Sequence, residues 1–180
     1  ELLDFNNTVM GEMLKKTIYA SGESDTRYVL NGLLLVVRPQ PPNLSLTMVG
    51  TDGYRLSVQG RIEGEQKKGK QGDYKHIIIP ARVLKQLLFL LAEEKEENAI
   101  NFYLSKTKNQ VVIEATSGTL VGRIINGEYP SYEKVIPANR NTEAMLDKED
   151  FFRDVKTSAV FARASANIVR IKLTKDGAIL

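Results

Sequence analysis

An α+β fold, with antiparallel sheets carrying helices on one face, follows from three observations on this 180-residue sequence. Strand-like and helix-like stretches occur twice in the same order, β-α-β-β-β, before Pro137. Each helix-like stretch has a single apolar stripe, which must be buried against something. The strand-like stretches follow one another through short turns, the connection that antiparallel neighbours use.

The first unit opens with alternating Leu3 and Phe5, then Asn6 and Asn7 as helix caps, then Val9, Met10, Met13, Leu14 and Ile18 at helical spacing. Strands are expected over Tyr28 to Val37 and Leu44 to Val49, separated by the turn Pro39-Gln40-Pro41-Pro42-Asn43, and over Tyr54 to Ile62 after Thr51-Asp52-Gly53. The second unit repeats this with a strand at His76 to Ile79, a break at Pro80, and a helix carrying Val83, Leu84, Leu87, Leu88 and Leu91. Its strands are Ile100 to Leu104, Val111 to Ala115 and Leu120 to Ile125. Lys106 to Asn109 replaces the proline turn, and Thr116-Ser117-Gly118-Thr119 stands where Thr51-Asp52-Gly53-Tyr54 stands in the first unit.

Residues 1–137 therefore form one module, and Pro137 to Asn141 reads as a linker. A further copy begins in residues 138–180: Asp147 and Asp150 make a capping-box-like start, Phe151, Phe152, Val155 and Ala159 form a helical stripe, and Ile168 to Leu173 reads as a strand. This copy is unfinished, so the chain is expected to be a piece of a longer protein.

Composition narrows the function. With no cysteine, disulfides, thiolate zinc sites and thiol nucleophiles are excluded. No apolar run reaches the roughly 18 residues of a membrane span, and Glu1-Leu2-Leu3-Asp4-Phe5 lacks the pattern of a signal peptide, so a cytoplasmic chain is expected. His76, the sole histidine, has no acidic residue spaced to orient it. The stretch Gly64 to Gln71 approaches a phosphate-binding loop, which would make the chain a nucleotide-dependent enzyme. Gln71, however, replaces the Ser or Thr that holds magnesium, and the stretch reads better as a basic connector. The run Glu93-Glu94-Lys95-Glu96-Glu97 reads as a solvated turn. No catalytic residue, metal ligand or cofactor loop emerges. The net charge of +3 is modest beside the roughly 6–10 phosphates that a tight duplex binder neutralises. Cations nevertheless line the helix faces away from the apolar stripes: Lys15, Lys16, Arg82, Lys85, Arg153, Lys156 and Arg163, partly offset by Glu12, Glu149 and Asp154.

Val49-Gly50-Thr51-Asp52-Gly53-Tyr54-Arg55-Leu56-Ser57 resembles the signature of the bacterial DNA polymerase III beta subunit, the sliding clamp. Arg27-Tyr28-Val29-Leu30-Asn31-Gly32 upstream and Gly127-Glu128-Tyr129-Pro130-Ser131-Tyr132-Glu133-Lys134-Val135-Ile136-Pro137 downstream match in the family's order. The resemblance covers essentially the whole chain and implies a DNA-clamp fold, with residues 1–137 as the middle domain and 138–180 as the start of the third. It further implies a head-to-tail homodimer that closes into a ring around duplex DNA, a non-enzymatic processivity factor of replication at the nucleoid.

On that resemblance Lys15, Lys16, Arg27, Tyr28, Arg82 and Lys85 face DNA. Leu30, Thr51, Gly53, Tyr54, Arg55, Leu56, Pro130, Lys134 and Val135 form a pocket for linear peptides of the polymerase alpha subunit, the clamp loader and repair proteins. Leu30, Leu56, Pro130 and Val135 supply apolar wall, and Arg55 a rim contact or a structural ion pair. Tyr54 stands where many members have His, Ser131 where Asp is common, and Lys134 where Arg is frequent, so peptide preference is expected to differ. The alternative reading is a stand-alone peptide-binding adaptor that forms no ring.

Overall fold

A computed structural model describes residues 2–24, 26–40, 43–65, 75–94, 98–105, 109–139, 141–163, 168–174 and 177–180. It divides into two compact units, Glu1–Tyr132 and Glu133–Leu180.

The first unit contains the doubled β-α-β-β-β order: β1 (Leu2–Asn6), α1 (Asn7–Thr17), β2 (Gly32–Gln40), β3 (Asn43–Thr51) and β4 (Leu56–Glu65), then β5 (Lys75–Pro80), α2 (Ala81–Glu93), β6 (Ala99–Ser105), β7 (Gln110–Ala115) and β8 (Gly118–Arg123). The repeats do not form separate sheets. β1 pairs with β6 in a sheet of order β1-β6-β7-β8, and β5 pairs with β2 in a sheet of order β4-β3-β2-β5. Each repeat thus lends its leading strand to the other.

The exchange follows from where the helices lie. Both pack over one shared core of Phe5, Met10, Met13, Leu14, Leu33, Leu35, Met48, Ile79, Leu84, Leu87, Ile100, Phe102 and Ile113, drawn from both sheets. Phe5 meets Phe102 edge-on at 5.5 Å between ring centroids. α1 is capped by Asn6, whose side chain accepts from Val9 N at 3.1 Å, as the sequence leads one to expect. At Gly11 α1 faces α2, and a Cβ there would make ordinary contact with Leu91 Cδ1 at 3.8 Å.

β2 departs from simple alternation. Leu33, Leu35 and Val37 enter the shared core, whereas Leu34 and Val36 join a second cluster with Val49, Ile78 and Tyr132. A continuous apolar run is the mark of a strand covered on both faces.

Several expected boundaries move. Tyr28–Asn31 is a 3₁₀ turn, not the start of a strand. Asn31 accepts from Ser24 N at 2.9 Å and donates to Ser24 O at 3.0 Å, closing the loop before β2 can begin. β2 and β3 run on to pair Gln40 with Asn43, so both strands extend into the expected turn; Pro41 and Pro42 lie outside the described residues. β4 begins at Leu56 instead of Tyr54, because the Tyr54 and Arg55 amides are committed to Asp52. β8 starts at Gly118 and leaves the ladder at Arg123; Ile125 then bridges to Ile78, its N donating to Ile78 O at 2.8 Å. Glu94 is not a solvated turn residue, since it holds Asn7 and Ser117; residues 95–97 lie outside the described residues. So do 66–71 of the near phosphate-binding loop.

The second unit holds a 3₁₀ turn, Tyr132–Val135, whose first residue belongs to the preceding unit, then α3 (Lys148–Ala162) and a hairpin of β9 (Lys172–Thr174) with β10 (Gly177–Ile179). Asp147 caps α3 by accepting from Asp150 N at 2.9 Å. The strand expected over Ile168 to Leu173 is displaced to Lys172, and Gly177 opens the returning strand at φ +151°.

Candidate functional site

The turn between β3 and β4 is built from its own polar groups. The last paired residues are Thr51 and Leu56, which leaves Asp52, Gly53, Tyr54 and Arg55 to reverse the chain. Asp52 Oδ1 accepts from Tyr54 N at 2.9 Å and from Arg55 N at 3.0 Å, an Asx turn. Asp52 Oδ2 accepts from Arg55 Nε at 3.0 Å, and Thr51 Oγ1 accepts from Gly53 N at 3.0 Å while donating to Arg55 O at 2.7 Å. The Tyr54 and Arg55 amides, helped by the Arg55 charge, hold the Asp52 carboxyl below its ordinary range against a small opposing effect of burial. Gly53 sits at φ +93°, and a Cβ there would collide with Arg27 Nη1.

The turn is anchored on both sides. Ser57 Oγ donates to Lys16 O at 2.5 Å, and the Arg55 guanidinium lies 5.7 Å from the centre of the Tyr19 ring, so the C-terminal end of α1 supports it from one side. Gly50 permits this approach, because a Cβ would stand 2.5 Å from Thr17 O. A hollow of about 340 Å³ opens there among Tyr19, Glu23, Asp52, Arg55 and Lys85. On the other side Tyr129 reaches across, its hydroxyl accepting from Thr51 N at 3.1 Å and donating to Val49 O at 3.4 Å. Burial pushes the Tyr129 pKa up to about 12, an effect the Thr51 amide only partly opposes. Tyr129 and Tyr132 pack on the second cluster beside Val29, Leu56, Val58 and Ile125, on the face of β2 opposite the helices.

The expected pocket residues are therefore distributed unevenly. Thr51, Gly53, Tyr54, Arg55 and Leu56 stand together on the turn, with Tyr54 93% exposed and Leu56 half-buried against the cluster. Leu30 is only 4% exposed and backs the loop instead of offering open surface. Pro130 is exposed one residue after Tyr129. Lys134 and Val135 lie exposed on the 3₁₀ turn of the second unit. Arg55 makes the structural ion pair with Asp52.

Of the cations, Lys15, Lys16, Arg82 and Lys85 are exposed on α1 and α2, with Glu12 3.9 Å from Lys16 and Glu23 3.6 Å from Lys85. Arg27 lies against the Gly53 turn, and Tyr28 donates to Asn126 O at 3.1 Å.

The sequence reading left Asp52, Ser57, Tyr129 and Tyr132 out of the site. The run Leu33 to Val37 carried the available signal: a strand apolar on both faces needs a second cover, and aromatic residues after the last strand of the module are the natural candidates.

The family model of the DNA polymerase III beta subunit, central domain, matches residues 4–131. The chain belongs to this family, the bacterial beta sliding clamps. It is 27% identical over 176 residues to the beta sliding clamp of Synechococcus elongatus, covering 98% of this chain and 44% of that protein. To the Chlamydia pneumoniae beta sliding clamp it is 29% identical, covering 88% and 40%. The chain thus spans less than half the length of these relatives. Its fold matches the solved DNA polymerase sliding clamp of Bacillus subtilis with a TM-score of 0.78 at 18% identity, over 99% of this chain and 47% of that one. It also matches the sliding clamp from Bartonella birtlesii bound to griselimycin, with a TM-score of 0.74 at 24% identity, over 87% and 40%.

Proposed function

We propose that this chain is the peptide-receiving and DNA-facing part of a sliding clamp, a processivity factor that tethers polymerase and other replication proteins to duplex DNA and does no chemistry of its own. Residues 1–137 correspond to the middle domain of such a clamp and 138–180 to the opening of its third. The observation that carries the reading is the turn Thr51 to Leu56, held by Asp52 on one side and Tyr129 on the other. Its Leu56 borders an apolar cluster, and its Tyr54 projects into solvent. A rigid rim beside apolar surface suits an extended peptide with one or two hydrophobic anchors, each giving about 1.5–3 kcal/mol against several lost on ordering. Micromolar affinity follows, which permits rapid exchange of partners. Lys134 and Val135 join the site on the family resemblance.

Sequence-independent passage of duplex DNA past Lys15, Lys16, Arg82 and Lys85 is supported by their exposure on the two helices. The nearby Glu12 and Glu23 temper the positive field, as a ring that slides requires. Arg27 and Tyr28 are assigned to the same partner by resemblance, their seen contacts being with the turn and with Asn126. The whole protein is then a head-to-tail homodimer working in the cytoplasm at the nucleoid. A labelled peptide of the form Gln-Leu-x-Leu-Phe, titrated against this chain and against Leu56→Asp, tests the pocket. Equal binding by both would remove Leu56 from it. For the DNA role, the full-length parent should remain on circular DNA at salt that strips ordinary binders and leave once the circle is cut. Equal escape from both forms would sink the topological account.

A further inference from the structure

We infer that Tyr129 is the positioning residue of the peptide site, its phenol acting as the missing strand partner that fixes the end of β3. The β2–β3 ladder stops at Leu34 and Val49, so Thr51 lies beyond its last pair. The Tyr129 hydroxyl takes up this end, accepting from Thr51 N and donating to Val49 O. These are the residues from which the turn departs, and Thr51 Oγ1 in turn holds Gly53 N and Arg55 O. One side chain, brought from 78 positions away, therefore sets the origin of a hydrogen-bond chain that runs Tyr129, Thr51, Gly53 and Arg55. Its ring is packed on the apolar cluster beside Leu56, so the anchor and the apolar wall move together. Tyr129 does not need to touch peptide to matter; it decides how firmly the rim is presented, and a preorganised rim binds more tightly than one that must be ordered on contact.

This inference rests on the peptide-site reading above, and the experiment separates the two. Tyr129→Phe keeps the ring and removes the hydroxyl; Ile113→Val trims the helix-side core, away from the turn and its apolar cluster, and serves as a control of comparable destabilisation. Amide hydrogen exchange of Thr51 and Gly53 is measured on the 180-residue chain, together with the affinity for the Gln-Leu-x-Leu-Phe peptide at a temperature where all variants are folded. Tyr129→Phe is expected to speed exchange at these amides and to weaken the peptide by about five- to tenfold, the size of one lost hydrogen bond, while Ile113→Val leaves both near wild type. Unchanged exchange in Tyr129→Phe overturns the positioning role whatever the peptide does. Faster exchange with unchanged affinity, or an equal loss of affinity in Ile113→Val, overturns it as a determinant of binding. A wild-type chain that binds no peptide brings down the site reading itself and the inference with it, and that failure is seen before any variant is made.

Discussion

Asn7 and Glu94 are joined across 87 positions of sequence: Asn7 Nδ2 donates to Glu94 Oε2 at 2.7 Å, tying the first turn of α1 to the end of α2. Asn7 also accepts from Asn98 N at 3.2 Å, and Glu94 Oε1 accepts from Ser117 N at 3.2 Å. Burial would raise the Glu94 carboxyl, but Asn7 and the amides of Ser117 and Thr116 outweigh it and hold the pKa below the ordinary value. A depressed carboxyl stabilises the fold above its unfolded pKa, and that contribution fades as pH falls through the folded pKa. Thermal unfolding of wild type and Glu94→Gln between pH 7 and pH 3 should show the larger loss in wild type. Asn7→Ala should cost about 1–3 kcal/mol at pH 7 by chemical denaturation, since it takes the Asn7 amide away from Glu94 Oε2 and from Asn98 N while Glu94 Oε1 keeps Ser117.

Gly53→Ala places a Cβ where φ is +93° and Arg27 Nη1 already stands. The strain is expected to be about 1–2 kcal/mol and confined to the turn. Peptide affinity should fall several-fold, and the unfolding midpoint should drop by a few degrees. Because the collision is with a flexible side chain, Arg27→Ala in the same chain should restore part of the loss, measured by a double-mutant cycle in peptide titrations.

Asp52→Ala removes the acceptor of two turn amides and of the Arg55 guanidinium. Peptide binding should weaken, and Tyr54 and Arg55 amides should exchange faster, while the core is untouched. In wild type the same weakening should be reached by acid: the Asp52 interactions are present above the ordinary carboxylate pKa and are lost as pH falls through its lowered value. A peptide affinity independent of pH from 7 to 3 would contradict this.

Tyr129 gives the complementary alkaline signature. With its folded pKa at about 12, its contribution is complete below the unfolded value near 10 and is lost as pH rises from there through about 12. Wild type should therefore lose more stability than Tyr129→Phe between pH 9.5 and pH 11.5, read by denaturant midpoints.

Much of this was legible in the residues. The doubled order, both core stripes and the Asn6 and Asp147 caps were readable because local spacing and capping chemistry dictate them. The position of the turn was readable too, because Asp52 and Gly53 are the residue types a tight reversal needs. What could not be read is whatever depends on meetings distant in sequence. Leu30 has the composition of a pocket wall, yet the Asn31–Ser24 loop buries it. Glu94 sits in a run of charges that reads as solvated, and only its approach to Asn7 and Ser117 makes it structural. Tyr129 lies in a motif whose polar role exists only once β3 is beside it.

The lent strands β1 and β5 have a consequence for how such a module can be divided. If the chain is cut in the connector between Glu65 and Lys75, each product carries one strand that belongs to the other's sheet. Neither product can complete a sheet alone, so the two fragments, made as separate polypeptides, should be insoluble or unfolded singly and recover the native circular dichroism on mixing.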